Sequence, residues 1–220
     1  MSDQLSLIEQ AKNDGVKRFV PSEFGVDHRH IQHPFFEEKV KVFEAVQQAN
    51  FPDGKQLNSI MRHLLELTNS KHFVGWTAIG SGFFDFVIPA FVQVLPESST
   101  ITFRGTGQKQ FPFTVAHDIG QVLAQSFKDP AAFKDKWLNV ANAWLSLRQI
   151  ANTINQQSNL GFRTESVDVD ENVPVLQIFE AGDFNVFEHS RQATELPVKL
   201  SDLASRLTWS PEAGIGCWKE

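Results

Sequence analysis

The chain opens on a helix and a strand with no room for an earlier strand before them, and that order constrains its fold more than any other feature. Leu5, Ile8 and Ala11 recur at helical spacing, and Gly15 stands where a left-handed turn ends a helix. Val16 to Pro21 follows at once, a β-branched and aromatic run closed by proline, which predicts a short strand. A helix that hands over to a strand across a tight turn belongs to α/β architecture. A chain that enters such a fold here is expected to begin in its middle, without the first strands.

The alternation continues. Pro34 suits the first turn of a helix running to Ala49, with Glu37, Lys41, Glu44 and Gln48 on one face and Phe35, Val42 and Val46 on another that Lys39 shares. Residues 51–70 read as a turn and a second amphipathic helix, and Phe73 to Ile79 as a buried strand. Phe83 to Leu95 predicts a helix interrupted near Pro89; Ile101 to Arg104 and Gln110 to Val115 predict a hairpin around Gly105-Thr-Gly107, with Pro112 at an edge. Asp118 is placed to cap a helix from Ile119 to Phe127, Lys136 to Ala141 reads as a strand, and Ser146 with Gln149 forms a capping box for Leu147 to Gln157. After Val167 the pattern weakens into an acidic stretch, an irregular aromatic run from Phe179 to Phe187, and a Pro/Gly-rich tail.

Composition excludes several functions. Twenty Lys+Arg against 26 Asp+Glu leave a net charge of −6 with no polybasic run, so neither a nucleic-acid backbone nor an anionic membrane has a footprint. The longest apolar-rich run, Phe83 to Leu95, is broken by Asp85, Pro89 and Gln93 and is too short to cross a bilayer as a helix. One cysteine and the lack of a signal-like start predict a reducing, cytoplasmic setting. The chain has 20 phenylalanines and no tyrosine, which removes any mechanism built on a phenol.

Few residues are placed for chemistry. Gly80-Ser-Gly82-Phe-Phe-Asp85 follows a strand and precedes a helix as a dinucleotide-binding turn does. It lacks the third glycine, however, and Asp85 would bring a carboxylate to where a pyrophosphate should lie, so it reads as a packing turn. His28, His30 and His33 beside Asp27 match no common zinc spacing and read as solvated imidazoles in a polar loop; no metal is expected. Cys217 has no evident histidine partner. Lys39 stands out, because an ammonium among apolar neighbours is partly stripped of water and gives up its proton more easily. The competing reading is a lysine whose stem covers apolar surface while its amine reaches water.

The run Val16-Lys-Arg-Phe-Val-Pro-Ser-Glu-Phe-Gly25, followed by Phe36-Glu-Glu-Lys39-Val-Lys-Val-Phe-Glu-Ala-Val46, resembles the NmrA-like, isoflavone reductase-like family of atypical short-chain dehydrogenases, fungal members above all. Trp76 to Asp85 and Phe113 to Gly120 extend the likeness, which is good from Leu5 to Asn142 and faint beyond. The resemblance implies a partial Rossmann-like NAD(P)-binding α/β fold over residues 1–142, lacking its first strands, and a smaller α+β substrate region over 143–220. It also implies reduction of a small aromatic or enone natural product by NADPH, with the lysine that corresponds to Lys39 as general acid/base. Phe35 stands where a tyrosine would be. Pro21, Ser22, Glu23 and Phe24 would border the nicotinamide, and Gly82, Phe83 and Phe84 would line the substrate pocket. The family's Gly-x-x-Gly-x-x-Gly turn has no counterpart here, which predicts weak cofactor binding by this chain alone. Residues 51–70 have none in the family, and stand as either an extra helix or a mis-spliced segment. Two other readings stay open: a dinucleotide-sensing regulatory protein that binds a protein partner without catalysis, and a truncated product without function.

Overall fold

A computed structural model describes residues 2–31, 33–49, 75–169 and 199–216. In chain order its elements are α1 (Ser2–Asn13), β1 (Arg18–Phe19), α2 (Glu37–Gln48), β2 (Gly75–Gly80), β3 (Phe83–Phe84), β4 (Val92–Leu95), β5 (Thr100–Arg104) and β6 (Gln110–Thr114). Then come α3 (Ala116–Lys128), β7 (Lys136–Asn139), β8 (Ala143–Ser146), α4 (Leu147–Gln157), β9 (Arg163–Val167), β10 (Thr208–Ser210) and β11 (Gly214–Gly216), with single helical turns between some of them. The chain forms two compact units, one of residues 1–80 and 122–139, the other of 81–121 and 140–220. Both are discontinuous in sequence, whereas the division expected from the sequence was one cut after residue 142.

The first unit is built on three parallel strands in the order β1-β2-β7, with Phe19 opposite Trp76 and Gly80 opposite Asn139. Helix α1 ends as its sequence predicts. Gly15 takes φ +67, and the amides of Gly15 and Val16 donate to the carbonyls of Lys12 and Ala11, which closes the last turn. The apolar stripe of α1 meets that of α2 in a core of Ile8, Ala11, Val42, Val46 and Ala49, against which Phe19 and Trp76 pack. At the start of α2 the aromatic inside is Phe36, at 3% exposure, and not Phe35, which is half exposed. Pro34 begins a 3-10 turn, Pro34–Phe36, that rotates the two rings relative to a continuous helix. Strand β1 is anchored through Arg18, whose guanidinium donates to the carbonyls of Ser126 and Pro130 at 2.7 and 2.6 Å. Ser126 lies in the last turn of α3, where carbonyls lack helical donors.

The second unit holds two three-stranded sheets, β3-β6-β8 and β4-β5-β9, and the hairpin β10-β11. Here the structure corrects the sequence. Phe83 to Leu95 is not one interrupted helix: β3 leads through a 3-10 turn to a single helical turn, Ile88–Phe91, and then to β4. Pro89 fits the start of that turn, where its missing N–H costs nothing, and the alternation of Val92 and Val94 belongs to a strand. Strands β5 and β6 do not form a hairpin with each other. β5 pairs with β4, antiparallel across a turn ending at Ser99 (φ +52), and with β9; β6 pairs with β3 and β8. Pro112 therefore sits on a middle strand, but beyond the two-residue register of β3, which reaches only Phe113 and Thr114.

Asp118 lies inside the first turn of α3, which starts three residues earlier than expected, and its carboxylate is used elsewhere. It accepts from the Asn142 side-chain amide (2.5 Å), the Ser201 backbone N–H (2.6 Å) and the Ser201 hydroxyl (3.0 Å). The capping box at Ser146 and Gln149 forms as predicted, and Ile150 and Ile154 of α4 are fully buried. The predicted helix at 51–70, the Phe179 to Phe187 run and Cys217 lie outside the described residues.

Candidate functional site

In sheets of parallel strands, ligand chemistry gathers at the carboxyl ends of the strands. Just past that end of β1 the chain runs Pro21-Ser-Glu-Phe24 and then folds across the ends of its neighbours. Asn139, the last residue of β7, donates its side-chain amide to Asp27 at 3.3 Å and accepts from the Trp137 indole at 2.8 Å. Asp27 in turn holds Arg29 through two contacts, 2.8 and 2.6 Å, and the Arg29 guanidinium lies over the Trp137 ring at 4.6 Å. Burial pushes the Asp27 carboxyl up, but Arg29 and Asn139 outweigh it and hold the group below its ordinary range.

The loop read as solvated imidazoles is ordered by this packing. His28 is 1% exposed, boxed by Phe36, Phe43 and Trp137 with ring centroids 5.3 to 6.5 Å away. Its Nε2 lies 2.7 Å from Oε2 of Glu23, which is fully buried. His33 caps the Pro34 turn by accepting from the Phe35 amide. Among the described residues, no group of three or more His, Cys, Asp or Glu is arranged to hold a metal ion.

Lys39 comes off the first turn of α2 and reaches back to this loop. Its Nζ donates to the Ser22 carbonyl at 2.8 Å and stands 3.4 Å from Glu23 Oε2, the same oxygen that faces His28. The lysine side chain is 23% exposed, while the Glu23 carboxylate it faces is fully buried. Its charged partner is a carboxylate rather than the Phe35 stripe that periodicity suggested. The structure thus brings Lys39, Ser22 and Glu23 together. Pro21 is buried, Phe24 half-buried and Ser22 exposed, so what this loop can offer a planar ring is Ser22, Phe24 and backbone. Sequence reasoning missed His28 as a partner of Glu23, and Asp27, Arg29 and Asn139 as its frame. The five-residue spacing from Glu23 to His28 carries no periodic signal that would have found it.

Gly82, Phe83 and Phe84 lie in the second unit. Phe83 packs against Phe91, Phe111 and Phe113 at 5.3 to 6.0 Å, while Phe84 stacks on the exposed Phe86 at 5.0 Å. Gly82 has φ +62, and a Cβ there would stand 2.2 Å from the Pro112 carbonyl oxygen. At Gly80 a Cβ would meet Asn139 and Trp137 at 2.9 Å. These two glycines serve close packing. A hollow beside α2, lined by Ile31, His33, Pro34 and Val40, does not include Lys39.

Residues 1–196 match the family model described as NmrA-like family, and the chain belongs to that family. It is 28% identical over 144 residues to pinoresinol reductase 1 of Arabidopsis thaliana, covering 62% of this chain and 39% of that one. It is 26% identical over 172 residues to an NmrA-like family domain-containing oxidoreductase of Gibberella moniliformis, covering 76% and 50%. The chain thus spans half or less of the length of these curated relatives. The solved structure of AtPrR2 with NADP+ and (+)-pinoresinol aligns over 89% of this chain and 61% of its own, at 18% identity and a TM-score of 0.53. The fold is accordingly that of the Rossmann-like NmrA and isoflavone reductase structures, in part. No helix among the described residues is long and apolar enough to cross a membrane.

Proposed function

We propose that this chain carries the proton-transfer side of an NAD(P)H-dependent reductase of the isoflavone reductase type, acting on a small aromatic or enone molecule, with Lys39 as general acid/base. The observation that supports it best is the Lys39 amine itself, fixed by Ser22 and Glu23 past the carboxyl end of a parallel strand, on a side chain that is 23% exposed. When bound, the nicotinamide supplies the hydride. The Lys39 ammonium supplies the proton to the oxygen or carbon that becomes negative, and Ser22 and Phe24 border the ring. Gly82, Phe83 and Phe84 are proposed to line the substrate side; Phe84 and Phe86 present an aromatic face on the second unit.

The residues fit the nicotinamide end of a dinucleotide better than its pyrophosphate end. Among the described residues, the first turn of α2 carries Glu37 and Glu38, that of α3 holds the buried Asp118, and the amides at the start of α4 are engaged by the capping box. None of these presents the free amides on which a pyrophosphate sits.

The test is NADPH oxidation by the full chain at millimolar NADPH, with pinoresinol, an isoflavone and a simple enone as probes. Turnover with one of them, reduced at least about a hundredfold in Lys39→Met with NADPH affinity unchanged, is the expected result. NADPH binding without any turnover would replace this reading by the dinucleotide-sensing one.

A further inference from the structure

The catalytic reading needs only the Lys39 amine and leaves two buried polar groups unexplained. Glu23 and His28 are 0% and 1% exposed, and a carboxylate and an imidazole are expensive to bury. Loop connection does not require them there, since an apolar pair would fill the space among Phe36, Phe43 and Trp137 at lower cost. What singles the pair out is one atom. Oε2 of Glu23 faces His28 Nε2 at 2.7 Å and Lys39 Nζ at 3.4 Å, while Oε1 of Glu23 and Nδ1 of His28 have no partner among the described residues.

We propose that Glu23 is a positioning residue for Lys39, and that His28 is in turn the positioning residue for Glu23. In this arrangement His28 carries its proton on Nε2 and donates it to Oε2. The aromatic box fixes the ring, the ring fixes the carboxylate, and the carboxylate, with the Ser22 carbonyl, fixes the ammonium. When the ammonium has given its proton to a reactant, Lys39 takes one back from solvent, and the Glu23 carboxylate and Ser22 carbonyl keep the amine in place. Lys39 alone touches the reactant. The inference rests on the reading of Lys39 given above for its meaning in catalysis, but its test does not.

The experiment uses the full chain without cofactor. Acetylation by dilute acetic anhydride at neutral pH is followed by mass spectrometry, with Lys39 measured relative to the exposed Lys12 of α1. Glu23→Gln removes the charged half of the hold on the Lys39 amine and leaves it freer to meet the reagent, so it should raise the Lys39/Lys12 labelling ratio about fivefold or more. His28→Phe should raise it by less, because the carboxylate keeps its charge and loses only its orientation. His28→Gln, which restores a donor, should return it towards the starting value. An unchanged ratio in a Glu23→Gln chain that keeps the wild-type circular dichroism and melting temperature overturns the proposal. Should these variants fail to fold, the wild-type chain still decides: 15N NMR of the assigned His28 ring must show a protonated Nε2, and a bare Nε2 overturns it. Failure here leaves the reductase reading standing, and absence of NADPH turnover leaves the Glu23–His28 arrangement standing.

Discussion

Asp27 and Asp85 are both buried carboxylates whose surroundings push them in opposite directions. At Asp85 burial raises the carboxyl above its ordinary range and is only partly offset by the amides of Ala116 and Phe86 and by Arg206. The folded state then binds a proton that the unfolded state releases first. The contribution of Asp85 to stability is fully present below the ordinary carboxylate range and is lost as pH rises through the raised value. Asp85→Asn keeps an oxygen for the two amides and removes the charge, so thermal melts of the variant should lack that loss at neutral pH and match or exceed wild type there. Asp27, held below its ordinary range, works the other way. Its contribution is present above that range and disappears as pH falls through the lowered value. Asp27→Asn should cost about 1–3 kcal/mol near pH 7 in urea unfolding, and the deficit should shrink towards pH 3. Gly82→Ala belongs to the same scale. With φ +62 and a Cβ 2.2 Å from the Pro112 carbonyl oxygen, it should cost about 2–4 kcal/mol in the same measurement. A loss below 0.5 kcal/mol, roughly the scatter of neutral surface changes, would show that the turn relaxes.

Helix α2 illustrates how an element serves both the core and the site. Val42 and Val46 are buried against α1, and that contact aims the first turn, and with it Lys39, at the loop after β1. Val46→Ala should therefore cost about 2 kcal/mol of stability. It should also raise Lys39 labelling slightly if α2 shifts, whereas Ser146→Ala, which removes the capping box of α4 in the other unit, should cost about 1 kcal/mol and leave Lys39 labelling unchanged. The capping box was legible because Ser146 and Gln149 are three residues apart and satisfy each other locally. The end of α1 was legible for the same reason, since Gly15 and its hydrogen bonds to Lys12 and Ala11 are a local affair. Strand partners were not. Nothing within Thr100 to Thr114 says that β5 pairs with β9, some sixty residues on, rather than with the adjacent β6. Glycines at 105 and 107 look like a hairpin turn whichever partners the strands take.

For the whole molecule, the expectation that carries most weight is weak dinucleotide binding. The described helix starts at α2, α3 and α4 are acidic or already engaged, so isothermal titration of the full chain with NADPH should give a Kd no tighter than about 0.1 mM, and micromolar affinity would contradict this account of the pyrophosphate end. The class of fold and the membership in a reductase-like family could be read from order and motif, because helix-strand alternation and the ten-residue run from Val16 to Gly25 are properties of consecutive residues. Spacing also marked Lys39 as a charge on an apolar stripe, which by itself assigns it no role. Which groups surround that lysine was decided only by the tertiary structure. Glu23, His28, Asp27, Arg29 and Asn139 are brought together by strand register and by burial of aromatic rings, and these depend on packing between segments more than a hundred residues apart, as Asp27 and Asn139 are. A sequence records side-chain chemistry and local spacing; it does not record which buried polar atoms must find one another once water has been excluded.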